Sequence, residues 1–231
     1  ESRGLGDVYK RQKDNFTVEV PEESVADYST APEWKEFRRF AAHRDFSISR
    51  NLFRALNASL SKTLVMRAPS GEAWSVESKP DWVTVEPMNG VGKVEVTVTV
   101  AEQPKGAGSR TGEVVFLLDG KDYRSRTTVE QYDYQYGDGD VLTVQSAAQG
   151  AGVDLVFMGD CFDAKDIAEG KYLDAMNEAI GYFFAVEPYK TYRDYFNVYT
   201  VFGLSPDSGI GDVNTIREAK FGSAYALGGI T

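Results

Sequence analysis

A chain of 231 residues with 42% hydrophobic and 13% aromatic content is long enough to bury one large core or two ordinary ones. Its formal net charge of -10, with no cluster of Lys and Arg, excludes nucleic acid and anionic membrane as partners, because neutralising phosphates needs clustered cations. No run approaches the ~18 apolar residues of a membrane-spanning helix, and the single cysteine, Cys161, excludes an internal disulfide.

The first twelve residues, ESRGLGDVYKRQ, carry no periodicity that ties them to the rest of the chain. GDVYKRQ resembles the translation of a transposon mosaic-end adapter used in sequencing libraries, so residues 1–12 read as a cloning scar with no part in the fold. Together with the abrupt end at GGIT, this suggests a fragment assembled from metagenomic reads. Residues 13–43 read as a linker or the tail of a preceding domain. There NFTVEV alternates like a short strand, PEESVADYSTAP is polar and rich in breakers, and Trp34, Phe37, Phe40 and Ala41 fall at helical spacing. His43, the only histidine, has no partner in the pattern and reads as structural.

Residues 44–132 read as an all-β domain. Val94, Val96, Val98 and Val100 alternate with Glu95, Thr97 and Thr99, the period of two that buries one face of an antiparallel strand. FSIS, KTLVMRA, AWSVES, WVTVEP, GEVVFLL and YRSRTTVEQ are further short runs rich in β formers, punctuated by Asn89-Gly90 and by Asp119-Gly120, a two-residue hairpin signal. About seven strands at this spacing predict a sandwich of immunoglobulin-like type. Trp74 and Trp82 lie in strand patterns, where core packing outweighs stacking on a sugar ring.

AWSVESKPDWVTVEP, then GVGKVEVTVTVAEQ, RTGEVVF and the closing TTVEQ resemble the BACON domain, an immunoglobulin-like module of Bacteroidetes often placed before enzymes. The resemblance implies a spacer or a module that attaches to glycan or mucin, and assigns no glycan-contacting residue. Charge changes after this domain: residues 44–135 hold 12 acidic and 12 basic side chains, residues 136–231 hold 14 and 6. Residues 133–152 read as a linker, its YDYQYGDGD a flexible polar joint, since Asp138 and Asp140 lack the rest of a calcium loop.

From Val153 the pattern becomes strand, loop, helix, strand. Asp154 to Met158 is a short apolar run closed by Gly159, the form of a strand buried on both faces, and Asn197 to Phe202 is a second strand. Asp163, with Asp166 three residues on, fits a variant capping box that opens a helix. Met176, Ala179, Ile180, Phe183 and Phe184 give that helix one apolar face, Gly170 weakens its first turns, and Pro188 ends it or opens a short helix carrying Tyr189, Tyr192 and Tyr195. If the strands pair in parallel, the loop Gly159 to Asp163 sits at a carboxyl edge, where α/β ligands bind.

GDCFDAKDIAEGKY, FFAVEPYKTYRDYFNVYTV and SPDSGIG resemble the start of the catalytic domain of IgA-peptidase-like zinc metallopeptidases. The resemblance covers residues 153–231 and implies the truncated N-terminal part of an α/β zinc-peptidase domain in a secreted or cell-surface protein, acting on protein or glycoprotein substrates. The family pattern has Gly where Cys161 stands. Its zinc is held by an HExxH-type helix further along, so the resemblance places zinc ligands beyond Thr231 and no catalytic or metal residue within this sequence. Gly159, Asp160 and Asp163 are then a loop that supports the cleft. Two other readings stand beside it: a glycan-binding or adhesive surface protein without catalysis, and a phosphoryl-handling enzyme built on Asp154, Asp160, Asp163 and Asp166. Cys161 as a nucleophile lacks a base.

Overall fold

The computed structural model describes residues 17–21, 24–34, 37, 39–43, 45–212, 215–226 and 229–230. The twelve residues read as a cloning scar lie outside them. At the N-terminal end β1 (Thr17–Pro21) pairs in parallel with β2 (Arg39–His43), and α1 (Val25–Thr30) connects them. Both readings of this connection change. The breaker-rich stretch holds the helix, and the residues with helical spacing end in a strand. Tyr28, Trp34 and Phe37 form an aromatic group, with Tyr28 and Trp34 edge to face at 5.3 Å, while Phe40 and Ala41 lie in β2.

The next strands are β3 (Ser47–Ile48), β4 (Leu52–Ala55), β5 (Leu60–Arg67), β6 (Ala73–Ser78), β7 (Val83–Glu86), β8 (Asn89–Val91), β9 (Val94–Val100), β10 (Arg110–Leu118) and β11 (Arg124–Gln131). They form two facing sheets, ordered β4-β11-β10-β6-β8 and β3-β5-β9-β7. Between them lies a core of Phe53, Leu64, Met66, Trp74, Val83, Val96, Val98, Phe116 and Leu118, all buried. The alternating valines of β9 supply its centre, as their period requires. Trp74 is fully buried and donates its indole N-H to the Gly92 carbonyl at 3.2 Å, while Trp82 packs at the core's edge beneath the Arg110 guanidinium, 4.5 Å above its ring.

Two turn signals are corrected. Asn89-Gly90 is not a turn but part of β8, which pairs with β6 and sets Gly90 opposite Trp74. A Cβ at Gly90 would stand 2.7 Å from the Trp74 ring, so glycine is needed there for close approach and not for positive φ. At Asp119-Gly120 only Gly120 takes positive φ, +72°, and the loop runs to Tyr123, whose carbonyl accepts from the Leu118 N-H at 3.0 Å.

The remaining elements are β12 (Val141–Gln145), β13 (Val153–Met158), α2 (Ala164–Ala168), α3 (Lys171–Phe183), β14 (Phe196–Val201), and the short β15 (Tyr225–Ala226) and β16 (Gly229–Ile230). β13 and β14 pair in parallel, which meets the condition for a loop at the carboxyl edge, and β12 lies antiparallel on the other side of β14. Val141–Gln145, within the stretch read as linker, is therefore a strand of this sheet. The preceding tyrosines are not a loose joint either: Tyr136 stacks on Phe202 at 4.6 Å and Tyr134 meets the same ring at 6.2 Å.

The predicted single helix is two, because Gly170 adopts φ +85° between α2 and α3. Its apolar seam is as expected at Met176, Ile180 and Phe184, and starts one turn earlier at Tyr172. This seam covers Leu155, Phe157 and Val198. Among the described residues nothing covers the opposite sheet face. Val141, Val156 and Met158 there are 57%, 52% and 55% exposed, so among the described residues β13 is an edge strand with one open face, in place of the expected burial on both faces.

Candidate functional site

β13 runs out at Met158 and the chain turns through Gly159. A Cβ there would meet Met176 Cε at 2.8 Å and Phe162 Cε2 at 3.0 Å, so glycine lets α3 press against the loop. Its N-H donates to the Tyr172 hydroxyl at 3.1 Å, and that hydroxyl donates to the Val201 carbonyl. The loop is thereby fixed to both the helix and the central strand.

Asp160 is the hub of the next layer. One carboxylate oxygen accepts from the Cys161 N-H and from the Ser205 hydroxyl, each at 2.9 Å, and the other from the N-H groups of Phe221 and Ser223 at 3.1 and 3.2 Å. Burial pushes its carboxyl up, but these donors outweigh burial and hold it at about 2. Ser205, itself buried, also accepts from the Cys161 N-H at 2.9 Å and from the Lys220 N-H at 3.2 Å. The stretch 203–211 is thus tied to the loop from the inside through Ser205.

Cys161 sits at φ 66°, the left-handed region that a Cβ disfavours by ~1 to 2 kcal/mol. Such a backbone suits glycine, the residue that the resemblance leads one to expect here, and this chain holds it with cysteine. The buried thiol is pushed up by burial and by the Asp160 carboxylate, opposite to what a nucleophile needs. Cys161→Gly is expected to change stability by less than ~1 kcal/mol, relief of strain offsetting lost packing, while the β-branched Cys161→Val should cost ~1 to 3 kcal/mol. Urea midpoints of the two variants check this ordering.

Asp163 caps α2 as predicted. Its Oδ1 accepts from the N-H groups of Lys165 and Asp166 at 2.9 and 3.0 Å, and Asp166 returns the bond to the Asp163 N-H at 3.4 Å. Its second oxygen faces the sandwich, where Arg54 donates to it at 2.6 Å. Arg54 also donates to Glu130 at 2.8 Å. Burial opposes its charge, yet the two carboxylates keep it above its ordinary range. Nearby, Arg50 pairs with Asp207 and Lys62 with Glu218. A cavity of about 340 Å³ opens between these elements, lined by Arg50, Arg54, Asp163, Asp207, Ser208 and Arg217 among others.

Of the three predicted site residues, Gly159, Asp160 and Asp163 fall in one loop at the carboxyl end of β13. Ser205, Asp207, Arg50 and Arg54 were missed, since their roles come from contacts across the chain. Asp154 stands apart from the other aspartates, accepting from Asn197 at 2.9 Å. The described residues do not fit a zinc or magnesium ion: among them no group of three or more His, Cys, Asp or Glu is placed to hold one, and the oxygens of Asp160 and Asp163 are taken by N-H and O-H donors. No metal step is derived from them.

Two family models match. Residues 72–132 match BACON ("Putative binding domain, N-terminal"), and residues 141–231 match IgA Peptidase M64. The chain carries a BACON segment followed by an M64 segment. M64 is a family of zinc metallopeptidases, and the match begins at β12, the strand that the sequence pattern left in the linker. None of the curated proteins matches. Solved structures with some likeness are a Bacteroides ovatus GH5 xyloglucanase in complex with a XXXG heptasaccharide, at 21% identity and TM-score 0.34 over 39% of this chain and 19% of that one, and the Vibrio cholerae VesB protease, at 13% identity and TM-score 0.27 over 38% of this chain and 32% of that one. This chain thus spans about a fifth of the xyloglucanase's length.

Proposed function

We propose that the chain is part of a secreted or cell-surface zinc metallopeptidase that hydrolyses peptide bonds in protein or glycoprotein substrates. The supporting observation is the M64 match over residues 141–231, which spans the β13 to β14 unit and the loop that Asp160 pins. In this reading Gly159, Asp160 and Asp163 support the cleft, and the zinc ligands come from residues other than those described. The BACON sandwich spaces the peptidase or attaches it to glycan or mucin. Trp74 is buried and Trp82 carries Arg110 over its ring, so a glycan would have to bind by other groups. The test is the reading frame downstream of Thr231 in the parent DNA, with zinc content and protein hydrolysis measured on its product. An HExxH-type helix and zinc-dependent cleavage are expected. A product with neither would overturn the proposal in favour of an adhesive surface protein.

A further inference from the structure

The Asp163 cap needs only one carboxylate oxygen, because Oδ1 alone accepts from both Lys165 and Asp166. Serine, threonine or asparagine would cap as well. The second oxygen, in a side chain only 3% exposed, would be an unmet buried charge without Arg54. Arg54 is in turn fixed by its own sheet: it lies beside Glu130 in the β4 and β11 register, and Glu130 accepts from the Tyr132 hydroxyl at 2.8 Å. A chain of charged hydrogen bonds therefore runs from the sandwich into the first turn of α2. Two residues on from Arg54, Leu56 is buried in one cluster with Ala164, Ile167 and Tyr172, so polar and apolar contacts from the same strand end converge on the same loop.

We propose that Arg54 is a positioning residue: through Asp163 the sandwich sets the geometry of the loop between β13 and α2, which makes the BACON segment a working part of the peptidase unit as well as its spacer. This rests on the peptidase reading for its functional meaning, though the coupling itself does not. A swinging spacer would present no such ion pair to the unit it carries, since separation would leave the buried Asp163 carboxylate unpaired at a cost.

Amide hydrogen exchange on the chain tests the proposal. In Arg54→Met, protection of amides in residues 163–170 is expected to fall about 10- to 100-fold, with Arg54→Lys restoring part of it and β5 and β9 unchanged. If Arg54→Met does not fold, Glu130→Gln, which loosens the anchor and leaves the Arg54 to Asp163 contact, is expected to lower the same amides less. Unchanged exchange in residues 163–170, or equal loss in β5 and β9, would overturn the proposal by making Arg54 a stabiliser of the sandwich alone. Exchange is read without substrate. Failure of the full-length protein to hydrolyse peptides would therefore sink the peptidase reading while leaving this result standing.

Discussion

Replacing Asp163 with alanine is expected to destabilise the protein by about 2 to 5 kcal/mol. Loss of an N-cap costs ~0.5 to 2 kcal/mol, and a charged hydrogen bond to a partly buried guanidinium adds ~1.5 to 3 kcal/mol. Asp163 does both at once, with Lys165 and Asp166 on one oxygen and Arg54 on the other. Asparagine separates the two contributions. Its carbonyl still caps, but it presents no charge to Arg54, so Asp163→Asn should cost about 1 to 3 kcal/mol. Urea midpoints for wild type, Asn and Ala should fall in that order. An Asn variant as stable as wild type would show that the bridge to the sandwich contributes nothing to folding.

Asp160→Asn is expected to act through acid as well as through packing. The carboxylate receives four donors, and the amide that replaces it turns a donor toward some of them, at a cost of about 2 to 4 kcal/mol near neutral pH. The folded carboxyl is held at about 2 against 3.8, so the folded state favours the ionised form. Its stabilisation is complete above pH 4 and is lost as pH falls from about 4 towards 2. Wild type and Asp160→Asn should thus differ most above pH 4 and converge below pH 3 in urea midpoints. A gap between them that stays constant from pH 6 to pH 2.5 would show that the charge on Asp160 is not what holds the segment at 221–223.

Where the determinants were local, the sequence displayed them. The period-two valines of β9, the capping pair Asp163 and Asp166, and the seam of α3 all involve residues within a few positions of one another, and all appear as read. What stayed hidden was set by distant partners. β4 is four residues long and pairs in parallel with β11, 76 positions away, so LFRA carries no periodic signal, and Arg54 with it. β8 looked like a turn because Asn-Gly suits one, but Gly90 is chosen by the Trp74 ring that it meets. β13 looked doubly buried because apolar content shows hydrophobicity and not what lies across the sheet. Asp160 had no local explanation since its donors lie at 205, 221 and 223. Cys161 shows another limit: nothing in its local sequence marks the left-handed backbone that it adopts.

The open face of the three-stranded sheet bears on how the protein behaves in concentrated solution. Val141, Val156 and Met158 line up across β12, β14 and β13 through Val201 and Tyr199, and among the described residues nothing pairs with the outer edges of β12 and β13. Such a surface attracts its own kind. At a net charge of -10 long-range repulsion keeps molecules apart, but that repulsion reaches only ~8 Å at physiological ionic strength and ~3 Å in molar salt. Ionic strength thus governs colloidal stability: dilute buffers keep the chain dispersed, and salting should bring self-association before it disturbs the fold.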